Sequence, residues 1–146
     1  MNAPHRPQPG INAFHRDRSK CIDAFANLEA VVSKLSIGAE LALKNETFGE
    51  KLKQLKRAAG DCDLSASQLA AVRETLGRCE ILASVRNDIV HSVLQIESVD
   101  EINVACFTNV RKLGAESQPT QRLSLANLRV LTIEINELAA DLRSIL

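Results

Sequence analysis

The stretch SVRNDIVHS, residues 84–92, places several polar side chains inside a long segment whose apolar residues recur at helical spacing. This segment is predicted to form the longest helix, from about Ala66 to Leu94. Its apolar stripe consists of Leu69, Val72, Leu76, Cys79, Ala83, Val90 and Val93. Arg86 falls in the middle of that stripe when successive residues are turned by about 100°. A guanidinium there needs a carboxylate, water, an anion or a second chain beside it, because its burial alone is costly.

Three further polar residues surround Arg86 on the predicted helix. Asn87 and His91 lie one turn apart on one edge of the stripe, with Ser84 beside them. Arg86 and His91 point about 140° apart around the helix axis, so we do not expect them to meet on a single helix. Packing of this helix against its own copy near a two-fold axis would bring them to a shared cleft. The sequence therefore predicts a homodimer if the cluster forms a site.

The first half of the chain predicts a tail and further helices. Residues 1–10 hold three of the four prolines and are expected to form a disordered or extended tail. A first helix is predicted over residues 11–36, followed by a short apolar piece at residues 39–43. The segments Thr47–Glu50 and Ser65–Gln68 both match a capping box, so each is expected to open a helix.

The second half predicts a small β-hairpin and a last helix. The pattern changes to a spacing of two at residues 102–106, and residues 93–97 are expected to pair with this strand. Residues 121–123 predict a further short strand, and Ser124 is expected to cap the last helix. The predicted fold class is all-α. It is a four- to five-helix up-and-down bundle with the hairpin inserted before the C-terminal helix, in one domain over residues 11–146.

Charge and cysteine spacing limit the classes of function. Eighteen basic residues balance eighteen acidic ones, which argues against a broad electrostatic grip on nucleic acid but not against a local anion site. One predicted helix carries Lys53, Lys56 and Arg57, a weak candidate for binding a substrate. The four cysteines lack C-x-x-C spacing, so we expect neither a metal nor another cofactor. No apolar run could span a bilayer and no signal peptide is evident, so a cytoplasmic protein without membrane contact is expected.

The polar cluster carries the side chains that phosphoryl transfer requires. Arg86 offers a planar, permanently charged fork suited to a phosphate. His91 can give or take a proton near neutral pH, either from a ribose 2′-hydroxyl or to a leaving oxygen. Asn87 can hold a substrate or orient the imidazole.

The hexapeptide Arg86-Asn87-Asp88-Ile89-Val90-His91 resembles the motif of the HEPN superfamily (higher eukaryotes and prokaryotes nucleotide-binding). That motif is Arg-x4–6-His, often with a polar residue after the Arg, late in the penultimate helix of a helical bundle. The resemblance implies a metal-independent endoribonuclease that leaves 2′,3′-cyclic phosphate ends. It assigns catalysis to Arg86 and His91 and support to Asn87. Asp88 and Ser84, which lie near them in the sequence, are two further candidate supporting residues.

The resemblance also implies partners. Many HEPN proteins are homodimers that act on RNA, and several are toxins paired with an antitoxin or parts of antiviral defence. In some toxin members a Tyr two residues after the His is modified by a partner enzyme. Position 93 is Val here and the chain has no Tyr, so that form of control is not expected.

A second interpretation is a helical dimerisation or adaptor module without catalysis. In it, Asp88, or Glu29 of the first helix, pairs with Arg86, and the cluster is a buried polar network that holds the helices in register. The two interpretations differ in one structural expectation. An enzyme should open Arg86 and His91 to a polar cleft, whereas an adaptor should bury them with internal partners.

Overall fold

A computed structural model describes residues 7–38, 47–61, 63–112 and 120–145 of the chain. In chain order its elements are α1 (Ile11–Gly38), α2 (Phe48–Asp61), α3 (Ala66–Val90), β1 (Ser92–Val99), β2 (Ile102–Asn109), a 3₁₀ turn (Val110–Lys112), β3 (Gln121–Ser124) and α4 (Leu125–Ile145). The prediction of a mostly helical chain with a small sheet before the last helix is confirmed. The up-and-down bundle order stays a prediction, and the apolar piece at residues 39–43 lies outside the described residues.

Local side-chain caps fix where three of the helices begin. The Thr47 amide donates to Glu50 Oε2 at 3.1 Å, and the Glu50 amide donates back to Thr47 Oγ1 at 3.3 Å. Ser65 and Gln68 form the same reciprocal pair at the start of α3. Ser124 Oγ accepts a hydrogen bond from the Asn127 amide at the start of α4. The predicted caps are therefore confirmed, because each satisfies amides that a helix start leaves unpaired.

The core forms where α1 packs on α4 and α2 packs on α3. Apolar residues recur along α4 at the spacing of one helix face, and Leu128, Ile135, Leu138 and Leu142 of this stripe are buried. A short ion pair between Arg129 Nε and Asp17 Oδ2, at 2.6 Å, joins α4 to α1 at the edge of this core. Cys21 of α1 and Cys79 of α3 are fully buried and act as small apolar side chains.

The three strands form an antiparallel sheet in the order β1-β2-β3. β1 pairs with β2 from Ser92 opposite Asn109 to Val99 opposite Ile102. The connection has two residues, Asp100 and Glu101, both with positive φ, which matches the twist of a tight hairpin. The hairpin is thus longer than predicted. The inner face of the sheet buries side chains against the helices, among them Leu94, Ala105 and Phe107.

The predicted end and length of α3 are wrong. The helix ends at Val90, not near Leu94, and α1 is longer at 28 residues against 25. The Arg18 side chain of α1 stabilises this end, because it donates to the carbonyl oxygens of Ile89 in α3 and Ser92 in β1 at 2.7–3.1 Å. Arg18 lies 71 residues before Ile89 and 74 before Ser92 in the sequence. The bond to Ile89 satisfies a carbonyl of the last helical turn. Beyond this turn, pairing with β2 replaces helical hydrogen bonding.

Candidate active site

An open cleft of about 610 Å³ lies where the end of α3 meets α1, the start of α2 and the end of β2. Four of the residues singled out in the sequence line it: Ser84, Arg86, Asn87 and His91. Residues from the other elements complete its wall, among them Glu29 of α1, Phe48 and Gly49 of α2, Asn109 of β2 and Arg111 after it. The cluster therefore opens to solvent within one chain.

Arg86 and His91 line the same cleft within one chain. His91 is the C-cap of α3, with φ −102° and ψ 21°, and its amide donates to the Asn87 carbonyl. The expectation that the two side chains do not meet on a single helix considered that helix alone. The cleft is about 610 Å³ in volume and is walled by several elements, so side chains that leave α3 in different directions can both line it. A two-fold axis is not needed to bring the two side chains to one cleft.

The Arg86 guanidinium has two partners and stays partly exposed. Its Nη1 donates to Asn87 Oδ1 at 3.0 Å, and its Nη2 lies 3.4 Å from Glu29 Oε2. Lys51 Nζ also approaches Glu29, at 3.7 Å from Oε1, so one carboxylate faces two cations. With 25% of its side chain exposed, Arg86 keeps part of its charged fork available to an anion in the cleft.

The environment of His91 favours its neutral form. Desolvation lowers the pKa of the imidazole below 6.5, and the positive charges of Arg111 and Arg86 lower the pKa further. At pH 7 the ring is therefore uncharged and can accept a proton. Both arginines line the same cleft as His91, so their charges can also act on a group bound there.

Sequence reasoning missed Arg111 and Asn109. Asn109 is buried, and it joins the end of α3 to the segment after β2. Its Nδ2 donates to the Asn87 carbonyl and to Asp88 Oδ1, while its Oδ1 accepts from the Arg111 amide. Arg111 itself is exposed, and no carboxylate of the described residues pairs with it. The apolar and polar periodicity gave no signal for either residue, because their position depends on the β1–β2 register.

Asp88 lies in α3 directly after Arg86 and Asn87, but its side chain faces the sheet and not the cleft. It is 3% exposed, does not line the cleft, and accepts hydrogen bonds from Asn109 Nδ2 at 3.1 Å and Gln121 Nε2 at 3.2 Å. It therefore joins α3 to β2 and β3. Asp88 supports the site only indirectly, by fixing Asn109.

We expect Asp88→Ala to lower the free energy of unfolding by roughly 2–4 kcal/mol, because it removes a buried carboxylate that accepts hydrogen bonds from Asn109 Nδ2 and Gln121 Nε2. Urea denaturation measures this loss. Asp23→Ala removes an exposed carboxylate of α1 and is the matched control, with an expected change within about 0.5 kcal/mol. Equal stability of the two variants would contradict the structural role given to Asp88.

The three basic residues proposed from the sequence for substrate binding lie outside the cleft. Lys53, Lys56 and Arg57 line a separate depression between α2 and α3, together with Arg73 and Glu80. Among the described residues, no three His, Cys, Asp or Glu side chains are grouped so as to hold a metal ion. No helix in the same part of the chain has the length and apolarity to cross a membrane.

No family model, curated protein or solved structure matches this chain. An assignment of function therefore depends on the side chains of the cleft and on the motif that they form.

Proposed function

We propose that the chain is a metal-independent endoribonuclease of HEPN type, with Arg86 and His91 as its catalytic residues. The observation that carries the proposal is the open cleft that both side chains line. A phosphodiester bound there would meet the Arg86 fork, the Arg111 charge and a neutral imidazole. This is the combination that an attack by a ribose 2′-hydroxyl requires.

The proposed reaction is an internal transfer at phosphorus. His91 takes the proton of the 2′-hydroxyl, the 2′-oxygen forms a bond to phosphorus, and the bond from phosphorus to the 5′-oxygen breaks. The 5′-oxygen takes a proton from solvent, and the imidazolium returns its proton to solvent. Arg86 stabilises the extra negative charge on the phosphoryl oxygens, with Arg111 adding positive potential. The products are a 2′,3′-cyclic phosphate and a free 5′-hydroxyl.

The supporting residues have separate roles in this proposal. Asn87 accepts a hydrogen bond from Arg86 and so fixes the guanidinium. Ser84 is exposed in the cleft wall and is available to a ribose or base. A homodimer, and an antitoxin or other protein that covers the cleft, remain part of the proposal. They are supported by the family resemblance alone, as are a toxin or defence role and a cytoplasmic location.

A second candidate is the non-catalytic adaptor, and the ion pair between Arg86 and Glu29 favours it. In that function the pair ties α3 to α1, and Asp88 ties α3 to the sheet. That function gives no role to the open cleft, or to the positive charge of Arg111 in its wall. We therefore place the endoribonuclease first.

The experiment that separates the two candidates is incubation of the purified chain with mixed cellular RNA in EDTA. The endoribonuclease is expected to produce fragments with 2′,3′-cyclic phosphate ends, identified by their resistance to 3′ ligation until the cyclic phosphate is opened and removed. Arg86→Ala and His91→Ala are expected to leave the RNA intact. Equal survival of RNA with the parent chain and both variants, over a range of protein concentrations, would reject the enzyme and leave the adaptor.

A further inference from the structure

A second depression, of about 460 Å³, lies between α2 and α3 and is strongly basic. Four cations line it, namely Lys53, Lys56, Arg57 and Arg73, against a single carboxylate, Glu80. This concentration of charge is notable because the whole chain has a net charge of zero. An anionic ligand explains such a local excess better than solubility does.

Most of this positive charge is not neutralised within the chain. Lys56 Nζ lies 3.8 Å from Glu80 Oε2. Lys53, Arg57 and Arg73 are exposed and pair with no carboxylate in the part of the chain that the structure describes. The Arg73 guanidinium extends over the end of α2, where a Cβ added to Gly60 would lie 3.1 Å from its Nη2. Three exposed cations therefore stand along the two helices.

The basic depression and the catalytic cleft lie on one continuous face. On α3, Arg73 and Glu80 of the depression and Ser84 and Asn87 of the cleft fall within a sector of about 60° at 100° per residue. α2 runs antiparallel beside α3, since Gly49 lies at the cleft and Gly60 lies near Arg73. From Arg73 to Asn87 the helix rises about 21 Å at 1.5 Å per residue.

We propose that this face between α2 and α3 binds the sugar–phosphate backbone of one single strand of RNA and leads it into the cleft. The strand is expected to cover about six nucleotides, at a rise of about 3.4 Å per nucleotide. The four cations line one depression between two neighbouring helices, which offers a place for one backbone and not for the two backbones of a duplex. The identity of the strand as a substrate rests on the proposed endoribonuclease function, whereas its binding does not.

The test uses a fluorescently labelled ten-nucleotide RNA with 2′-O-methyl riboses, which cannot be cleaved by 2′-attack. Its dissociation constant is measured by anisotropy at several salt concentrations for three proteins. These are the parent, the double variant Arg57→Ala with Arg73→Ala (the groove variant, named for the basic depression between α2 and α3), and a control. The control, Arg16→Ala with Lys20→Ala, removes the same charge from exposed positions of α1 that line neither the depression nor the cleft. All replaced side chains are exposed, and circular dichroism checks that each variant keeps its helices.

The groove variant is expected to bind about 10- to 30-fold more weakly at 0.1 M salt, because each lost phosphate contact removes roughly 0.7 from the slope of log affinity against log salt. Its slope should therefore fall by about 1.4, while the control keeps the parent's affinity and slope. Equal affinities of groove variant and control would overturn the proposal. So would equal binding of an RNA duplex, or displacement of the strand by polyglutamate at the same concentration as by unlabelled RNA.

The result of this binding test does not depend on whether the chain cleaves RNA. A parent chain that binds the strand through Arg57 and Arg73 but leaves natural RNA intact would reject the endoribonuclease and keep the strand path. A parent chain that cleaves RNA, with the groove variant binding and cleaving equally well, would keep the endoribonuclease and reject the strand path.

Discussion

Replacing His91 with alanine is expected to lower the rate of RNA cleavage at pH 7 by roughly 10²–10⁴-fold, the range for loss of a general base. His91 is the one histidine among the described residues that line the cleft, and its lowered pKa favours at pH 7 the neutral imidazole that can accept a proton. Single-turnover cleavage of a labelled RNA in EDTA measures the effect, with enzyme in excess so that the chemical step is observed.

The matched control for this variant is His15→Ala. His15 is exposed on α1 and does not line the cleft, so its removal should leave the rate unchanged. The variant His91→Gln keeps polarity without a basic nitrogen, and it should be as slow as His91→Ala. A His91→Ala chain that is folded and cleaves within about threefold of the parent would contradict the role of His91 as the base.

Replacing Arg86 with alanine is expected to lower the single-turnover rate by roughly 10²–10³-fold, since one charged donor to the phosphoryl oxygens is lost. Arg86→Lys should recover only part of the rate, because an ammonium cannot donate two parallel hydrogen bonds to a phosphate. The same assay in EDTA measures both variants.

Glu29→Gln separates catalysis by Arg86 from a purely structural ion pair. If Arg86 acts on phosphate, removal of the Glu29 charge leaves the guanidinium in place, and cleavage should persist with equal or tighter RNA binding. If the ion pair only holds α3 against α1, Glu29→Gln and Arg86→Ala should reduce the free energy of unfolding by similar amounts. Neither variant should then change RNA cleavage. Loss of cleavage in Glu29→Gln to the level of Arg86→Ala would contradict the catalytic role given to Arg86.

Features that depend on neighbouring residues were predictable from the sequence. The caps at Thr47, Ser65 and Ser124 each act within three residues, so their motifs locate the helix starts without knowledge of the fold. The apolar stripe of α4 was predictable because its spacing keeps one side of the helix buried. The spacing of two located the strand β2 but not its buried face. The apolar set at that spacing begins with Ile102, which is 52% exposed, whereas the fully buried residues are Ala105 and Phe107.

Features that depend on distant residues were not predictable. The end of α3 is stabilised by hydrogen bonds from Arg18, more than 70 residues earlier in the chain. Because this end was placed four residues too late, Val93 was assigned to the buried helical stripe. It lies instead on the outer face of β1 and is 52% exposed.

The position of Arg111 could not be predicted from the sequence for a second reason. Its place beside His91 follows from the antiparallel register, which sets Ser92 opposite Asn109 and so brings the residues after β2 back to the end of α3. An exposed arginine after a strand has no pattern of its own in a sequence. The basic residues of α2 gave a partial signal, but Arg73, which completes their depression, belongs to another helix and was not grouped with them.

The central claim is that Arg86 and His91 act on one phosphate in one cleft, and titration of His91 by NMR tests it most directly. The ring is observed with and without an uncleavable 2′-O-methyl RNA, and the His91→Ala spectrum identifies its signals. Without RNA, the pKa should lie below 6.5, because desolvation and the charges of Arg111 and Arg86 disfavour the imidazolium. Bound RNA should raise the pKa, because a phosphate stabilises the charged ring, and Arg86→Ala should weaken that response. A His91 pKa that stays the same when the strand is bound would contradict the account.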